Sequence, residues 1–272
     1  MIVDRFAGGH DPRNILAFTF TNKAAREMKE RLAKRLGKDR AAAVTVSTFH
    51  SLGWRILREH HAALGYRPGI SILDETDSQT VVRDLLPEGT APEMVRLARN
   101  QVSRWKNRAL AAGDREVSFD SPGERSIWRL YERYEEHLKN LNAVDFDDLV
   151  RLAMGSLESD PAYLERLQAR WPYILEDEAQ DSSRVQETIL RLLVGPEGNW
   201  VRVGDPNQAI FETFTTASPK YLREFIAHEA DFQQELPVSG RSQPSVINLA
   251  NYLANRTEKI GIVAKGCDWR NI

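Results

Sequence analysis

The sequence predicts an α/β protein, in which a parallel β-sheet is flanked by helices and interrupted by an α-helical insertion. Four short apolar runs have the length of buried parallel strands, at residues 15–20, 44–47, 173–175 and 200–203. Each run is followed by polar or helix-capping residues and then by a helical pattern, which is the order typical of layered α/β domains. A charged, helical stretch between the second and third runs indicates the insertion.

The helices that follow the strands carry recognisable start signals. After the first strand, Thr21 can cap a helix, since apolar residues then recur every four positions at Ala24, Met28, Leu32 and Leu36. After the third strand, Ser182 and Ser183 are suitable caps for another helix. The chain therefore divides into a first part of the sheet lobe at 1–73, the helical insertion at 74–153, a second part of the sheet lobe at 154–236 and the start of a further lobe at 237–272.

Composition narrows the class of protein. The 272 residues suggest roughly two domains, and the formal net charge of −2 means that any binding of nucleic acid must be local. The one cysteine, Cys267, excludes a disulfide framework and favours a reducing cytosol, so we expect a cytoplasmic protein. No apolar run approaches the length of a membrane span, and we expect no membrane partner.

The third strand ends in adjacent carboxylates. Residues 173–181 read Tyr-Ile-Leu-Glu-Asp-Glu-Ala-Gln-Asp, and ligands of open α/β sheets bind at such strand ends. Asp177 and Glu178 could hold a Mg²⁺ ion and a water, both of which nucleotide hydrolysis needs. Taken alone, the pair fits a structural turn or a helix cap equally well. The phosphate-binding motif G-x-x-x-x-G-K-[ST] does not occur in these residues, since Gly37-Lys38 is followed by Asp39.

Three further segments have the same strand-then-polar character. Residues 203–211 read Val-Gly-Asp-Pro-Asn-Gln-Ala-Ile-Phe, and a glutamine at such an edge can orient water or sense a terminal phosphate. Residues 19–28 read Thr-Phe-Thr-Asn-Lys-Ala-Ala-Arg-Glu-Met and open a helix, and residues 47–52 read Ser-Thr-Phe-His-Ser-Leu after the second strand.

These four segments, in this order, resemble the superfamily 1 DNA helicases of the UvrD/Rep/PcrA group. Residues 145–149 and 103–107 are also similar to segments of that family. The resemblance implies a RecA-like P-loop NTPase lobe with an inserted helical subdomain, coupled to a second lobe across an ATP cleft. It implies ATP and Mg²⁺ as cofactors, and 3′-to-5′ movement on single-stranded DNA at a duplex junction, as in DNA repair. It indicates no particular protein partner.

The resemblance also assigns roles at the ATP site. It implies that Asp177 is a Mg²⁺ ligand and that Glu178 is the general base that activates water. Gln208 corresponds to a glutamine that senses the γ-phosphate, and Arg241 to an arginine that the second lobe presents to it. The residues implied to couple the ATP site to its neighbours are Gln180, Asp181 and Asp205.

The DNA-facing residues are inferred from both the resemblance and their chemistry. An aromatic ring can stack on any base, and we expect Phe20, Phe49 and Phe211 to lie in loops at strand ends. The helix that starts near Asn22 offers backbone N–H groups to a phosphate. Residues 13–40 hold nine Lys/Arg against three Asp/Glu, which fits either a phosphate-tracking surface or a solvated helix face. The full predicted set is Phe20, Thr21, Asn22, Lys23, Thr48, Phe49, His50 and Phe211. Trp105, with cationic neighbours, could either meet DNA or pack in a helical core.

The sequence departs from the family in three places. Without a phosphate loop, the nucleotide has no cradle, and we expect negligible ATP hydrolysis from these 272 residues alone. No arginine follows Phe211 within residues 212–217, and Gly240 stands where the family has a tyrosine. We interpret the chain as a helicase motor that is incomplete at both ends. The alternatives are a non-catalytic single-stranded DNA-binding or interaction protein derived from a helicase lobe, and the motor piece of a helicase-nuclease.

Overall fold

The computed structural model describes residues 10–112, 118–119, 121–209, 217–235, 245 and 261–265, which fall into two compact units. The sheet unit contains residues 10–49, 161–183 and the described residues from 190 onward. The helical unit contains the described residues of 50–160, together with residues 184–189. The insertion predicted at 74–153 lies inside the helical unit, which also takes in residues 50–73.

The strands, in chain order, are β1 Ile15–Phe18, β2 Thr45–Ser47, β3 Ser71–Leu73, β4 Ala143–Asp145, β5 Tyr173–Glu176, β6 Asn199–Gly204, β7 Phe232–Glu235 and β8 Gly261–Lys265. The helices are α1 Asn22–Leu36, α2 Lys38–Ala43, α3 Phe49–His60, α4 Glu75–Leu85, α5 Pro92–Asn107, α6 Pro122–Asn140, α7 Phe146–Ser159, α8 Pro161–Arg170, α9 Arg184–Val194 and α10 Lys220–His228. Short 3₁₀ turns occupy Pro12–Asn14, Ala179–Asp181 and Pro206–Gln208.

The sheet unit is built on a six-stranded sheet with the order β2-β1-β5-β6-β8-β7. The first four of these strands are mutually parallel, and β8 pairs antiparallel with both β6 and β7. Glu176 at the end of β5 lies opposite Phe18 on one side and Arg202 on the other. The predicted fold class and the four predicted strands are confirmed. Because β1, β5 and β6 are parallel neighbours, their carboxyl ends meet at one edge of the sheet.

Helix α1 begins and packs as its sequence pattern predicts. The Thr21 hydroxyl accepts a hydrogen bond from the Ala24 N–H at 3.1 Å, which caps the helix, and Gly37 ends it with φ = +83°. Leu32 is buried, and Met28 and Leu36 pack beside it. The core that they cover contains Ile15, Ala17, Ala41, Val44, Val46, Leu175 and Val201.

The helical unit has its own core and a two-stranded parallel sheet. β3 pairs with β4, and Asp145 at the end of β4 forms a reciprocal capping box with Asp148 at the start of α7. Trp105 is 5 % exposed and lies edge-on to Trp128, with ring centroids 5.0 Å apart. The core-packing interpretation of Trp105 is therefore correct. Across the described ranges, no helix is both long and apolar enough to cross a membrane.

Candidate active site

The acidic segment after β5 forms a tight corner at the carboxyl edge of the sheet. The Asp177 N–H donates to the Phe18 carbonyl at 3.0 Å, so this residue continues the pairing with β1 before the chain turns. Glu178 is exposed and adopts the left-handed conformation, with φ = 57° and ψ = 42°. A non-glycine residue in this region carries strain, which often marks a functional position.

A chain of hydrogen bonds joins this corner to the loop after β6. Gln180, almost fully buried, donates from Nε2 to the Glu178 carboxylate at 2.8 Å and accepts from the Asp205 N–H at 3.1 Å. Gln208 in turn donates to the Asp205 carboxylate at 2.9 Å. The structure thus brings together six predicted site residues from two adjacent strand ends: Asp177, Glu178, Gln180, Asp181, Asp205 and Gln208.

Gly204 makes room for this arrangement. A β-carbon at that position would lie 2.5 Å from the Gln180 side-chain oxygen and 3.1 Å from the Ala179 nitrogen. The first contact is shorter than a β-carbon makes and the second is tight, so a side chain at position 204 would displace the Gln180 amide from the loop.

Two carboxyl groups in the corner are harder to ionise than usual. Burial, together with the charge of Glu178, raises the pKa of Asp177. The same two causes, burial first, raise the pKa of Asp181 to about 6, while a hydrogen bond from Gln180 opposes the shift. Among the described residues, Asp181 Oδ1 is buried without a hydrogen-bond partner. The corner therefore holds three closely spaced acids with few compensating cations.

The carboxylates could hold a hard cation only together with other ligands. In the part of the chain that the structure describes, no group of three or more His, Cys, Asp or Glu side chains is arranged to bind a metal ion. Carboxylate oxygens suit Mg²⁺, which usually takes one or two of them and completes its shell with waters and substrate phosphates. An exposed carboxylate beside such an ion could accept a proton from water.

The predicted DNA-facing residues at the start of α1 form one continuous exposed stretch. Phe20 is 38 % exposed, which is unusual for a ring of its size, and Thr21, Asn22 and Lys23 follow it at the surface. Thr21 combines the capping role with this exposure.

The second predicted DNA segment lies differently. The expectation that Phe49 lies in a loop is wrong, because it is the first residue of α3 and its ring is buried, stacked on Phe18 at 4.6 Å. Thr48 is also buried. His50, in the helical unit, is exposed and lies edge-on to Phe146 at 5.9 Å. A contact of these three residues with DNA stays a prediction. Phe211 and Arg241 lie outside the described residues, as do residues 212–216 and Gly240.

Sequence reasoning missed a buried polar group directly beneath the corner. Glu176, Ser182 and Arg202 are 1 %, 3 % and 0 % exposed, and the Arg202 Nε lies 2.7 Å from the Glu176 carboxylate. A signal was present, because an arginine between valines in a central strand needs a buried partner, and an acid ends the neighbouring strand.

Comparison with known proteins identifies the family. Residues 4–230 match the UvrD/REP helicase N-terminal domain. The chain is 34% identical over 251 residues to the ATP-dependent DNA helicase Rep of Escherichia coli strain K12, a match that covers 90% of the chain and 37% of Rep. It is 33% identical over 256 residues to the ATP-dependent DNA helicase PcrA of Staphylococcus aureus strain Mu50, covering 91% of the chain and 34% of PcrA. The chain thus spans about a third of the length of these relatives. It belongs to the family of UvrD/REP helicase N-terminal domains.

Proposed function

We propose that the chain is part of an ATP-dependent DNA helicase or translocase that moves 3′-to-5′ on single-stranded DNA. The observation that carries this proposal is the hydrogen-bonded corner in which Gln180 links the Glu178 carboxylate to Asp205 and Gln208. It has the residue types that water activation needs, at the sheet edge where nucleotides bind. We also propose that the protein is located in the reducing cytosol.

Each residue of the corner has a distinct task in this proposal. When bound, Mg²⁺-ATP supplies the phosphoryl group and the cation that neutralises its oxygens. Asp177 would hold the metal, since it lies on the strand end and has carboxylate oxygens of the hard type that Mg²⁺ prefers. Glu178 takes the proton from the attacking water, and its exposure lets water reach it. Gln208 would face the terminal phosphate, and Arg241 is proposed to add a cation.

Single-stranded DNA would be held at the start of α1. Phe20 offers an exposed ring for base stacking. The N–H groups of Asn22 and Lys23, in the first turn of α1, would donate to a phosphate. Lys23, Arg26 and Lys29 lie exposed on the same helix, so we expect binding to weaken as salt rises.

ATP hydrolysis tests the central role of Glu178. We expect negligible turnover from these 272 residues alone, which contain no G-x-x-x-x-G-K-[ST] motif. In a chain that also carries a phosphate loop and a second lobe, Glu178→Gln should reduce DNA-stimulated hydrolysis by about 10²-fold or more, because the general base is lost. Nucleotide affinity, measured by fluorescence titration, should stay within about twofold, since removing a group that acts in the transition state spares ground-state binding. Full hydrolysis by Glu178→Gln would contradict the assignment.

A pair of phenylalanine variants tests the DNA surface. Phe20→Ala should cost about 1–3 kcal/mol of affinity for a labelled oligothymidylate, measured by fluorescence anisotropy at low salt. Its free energy of unfolding should change by only about 0.5 kcal/mol, because the ring is already partly in water. The matched control is Leu141→Ala, which removes an exposed side chain from the helical unit and should leave DNA affinity unchanged. Unchanged affinity in Phe20→Ala would argue against this surface.

The absence of a G-x-x-x-x-G-K-[ST] motif from these 272 residues suggests a second candidate function. A non-catalytic protein derived from a helicase lobe would bind single-stranded DNA with equal affinity in the presence and absence of ATP. The anisotropy measurement separates the two when it is repeated with and without Mg²⁺-ATP on a chain that also carries a phosphate loop and a second lobe.

A further inference from the structure

A buried ion pair lies at the base of the acidic corner. Glu176 and Arg202 face each other in register across β5 and β6 and are essentially inaccessible to solvent. The Arg202 guanidinium donates from Nε to one Glu176 oxygen at 2.7 Å and from a terminal nitrogen to the other at 3.4 Å. The Ser182 hydroxyl donates to that second oxygen at 2.5 Å. One carboxylate therefore binds two different parts of the chain.

The positions of these partners in the sequence show which segment of the chain the pair holds. Glu176 is the last residue of β5, and Ser182 follows the 3₁₀ turn Ala179–Asp181. The Glu176 carboxylate therefore ties together the two ends of the segment that contains Asp177 and Glu178. Beyond it, the Ser182 carbonyl accepts from the Ser218 N–H at 3.2 Å, so the exit of the turn is fixed as well.

Arg202 is itself held firmly. Its guanidinium lies 4.3 Å from the Trp200 ring centroid and 5.2 Å from that of Phe225 on α10. A terminal nitrogen lies 3.5 Å from the Tyr221 carbonyl oxygen. Because the guanidinium packs against residues of β6 and α10, these elements fix its position and therefore that of the Glu176 carboxylate.

Stability alone does not account for such a pair. Burying two charges costs desolvation that their attraction only partly offsets, and apolar residues of similar size often serve the core equally well. The turn that follows Glu176, in contrast, needs contacts that fix its backbone. Glu178 holds a left-handed conformation that non-glycine residues avoid, and such conformations persist only where the surrounding structure fixes them.

We propose that Glu176, Arg202 and Ser182 form a clamp that fixes the acidic turn and holds Glu178 in its left-handed conformation, in which the residue is exposed and its carboxylate accepts from Gln180. The three are positioning residues, since they act through the backbone of the turn and through Glu178. The purpose given to Glu178 rests on the proposed function, but the existence of the clamp does not.

Hydrogen exchange measured by mass spectrometry tests the clamp on the chain itself. Ser182→Ala removes one hydrogen bond from the clamp, and the double variant Glu176→Leu/Arg202→Leu removes both buried charges together, so that neither is left unpaired. In both variants we expect amides of residues 177–182 to exchange about tenfold faster or more, because local opening becomes easier. Exchange in β1 and α6 should stay the same. Ser182→Thr, which keeps the hydroxyl, should restore the slow exchange.

The matched control is the ion pair between Arg191 and Glu229, whose two bonds measure 2.8 and 2.7 Å and which lies at the surface. Arg191→Leu/Glu229→Leu should leave residues 177–182 unchanged. Unaltered exchange in the turn of Ser182→Ala, or an equal increase in all peptides, would overturn the clamp. Should the double variant not fold, Ser182→Ala and Ser182→Thr decide the question.

The outcome is separable from that of the proposed function. If the turn loosens as expected but Glu178→Gln retains hydrolysis, the clamp stands and the role of Glu178 falls. If Glu178→Gln abolishes hydrolysis but the turn is unaffected in Ser182→Ala, the clamp falls alone.

Discussion

Both units of the molecule bury carboxylates, but they compensate them differently. In the helical unit, Lys106 is fully buried and lies 2.9, 2.8 and 2.6 Å from the carboxylates of Asp145, Asp148 and Glu135. In the sheet unit, Asp177, Glu178 and Asp181 lie close together, and their hydrogen bonds come mainly from an amide and the backbone. In the first group, which we call the ion cluster, each carboxylate lies 2.6–2.9 Å from the Lys106 ammonium. The carboxylates of the second group, the acidic corner, are hydrogen-bonded mainly by neutral groups.

The pKa shifts follow this division in part, since Lys106 and Arg151 outweigh burial and lower the pKa of Asp148, whereas burial and the charge of Asp148 raise the pKa of Asp145. Burial alone would lower the pKa of Lys106, but Asp145, Asp148 and Glu135 together hold it well above its ordinary value. In the acidic corner, burial and mutual repulsion raise the pKa values of Asp177 and Asp181. Removing one partner from a buried, paired cluster is strongly destabilising, whereas closely spaced acids cost stability while intact and are typical of sites that bind a cation or act as bases.

The largest expected effect lies in the ion cluster. Lys106→Met should reduce the free energy of unfolding by about 3–5 kcal/mol, because it leaves buried Asp145 with Arg99 at 3.9 Å and buried Asp148 with Arg151 as their remaining cations. Urea unfolding followed by circular dichroism measures the change. Arg104→Met, on the exposed side of the same helix, is the control and should change stability by only about 0.5 kcal/mol. Equal effects of the two substitutions would remove the distinction between the cluster and ordinary surface charge.

A smaller effect of opposite sign is expected at Asp181. Because its pKa in the folded protein is about 6, above that of an unfolded chain, the folded state binds the proton more tightly. Its contribution to stability is therefore complete at low pH and is lost as the pH rises through about 4 to 6. Asp181→Asn should be more stable than wild type by about 1 kcal/mol at pH 8 and nearly equal to it at pH 4.

Urea midpoints at the two pH values provide this measurement. Asp84→Asn, at an exposed position, is the control and should give the same difference from wild type at both. If Asp181→Asn increased the stability of the protein by the same amount at both pH values, the surroundings of Asp181 would not disfavour its ionised form.

Much of the sheet unit could be predicted because its strands and helices are specified by residues that are close together in the sequence. Apolar runs, the Thr21 cap and the four-residue spacing of α1 each follow from neighbouring residues in the sequence. The corner could be predicted as far as its members, since strand ends in parallel sheets converge.

What could not be predicted depends on contacts between distant residues. The burial of Phe49 depends on Phe18, and the burial of Lys106 depends on carboxylates 29 to 42 positions further along the chain. The left-handed conformation of Glu178 has no sequence signal, because glycine or asparagine would be expected there. It follows from the clamp, whose two halves lie on different strands.

The free energy of unfolding of two variants at Glu178 tests most directly whether the acidic corner is kept for function at a cost in stability. Glu178→Gln removes the charge and retains the backbone strain, whereas Glu178→Gly relieves both. We expect urea unfolding to rank Glu178→Gly about 0.5–1 kcal/mol more stable than Glu178→Gln, and both above wild type. A glycine variant less stable than wild type would contradict that expectation.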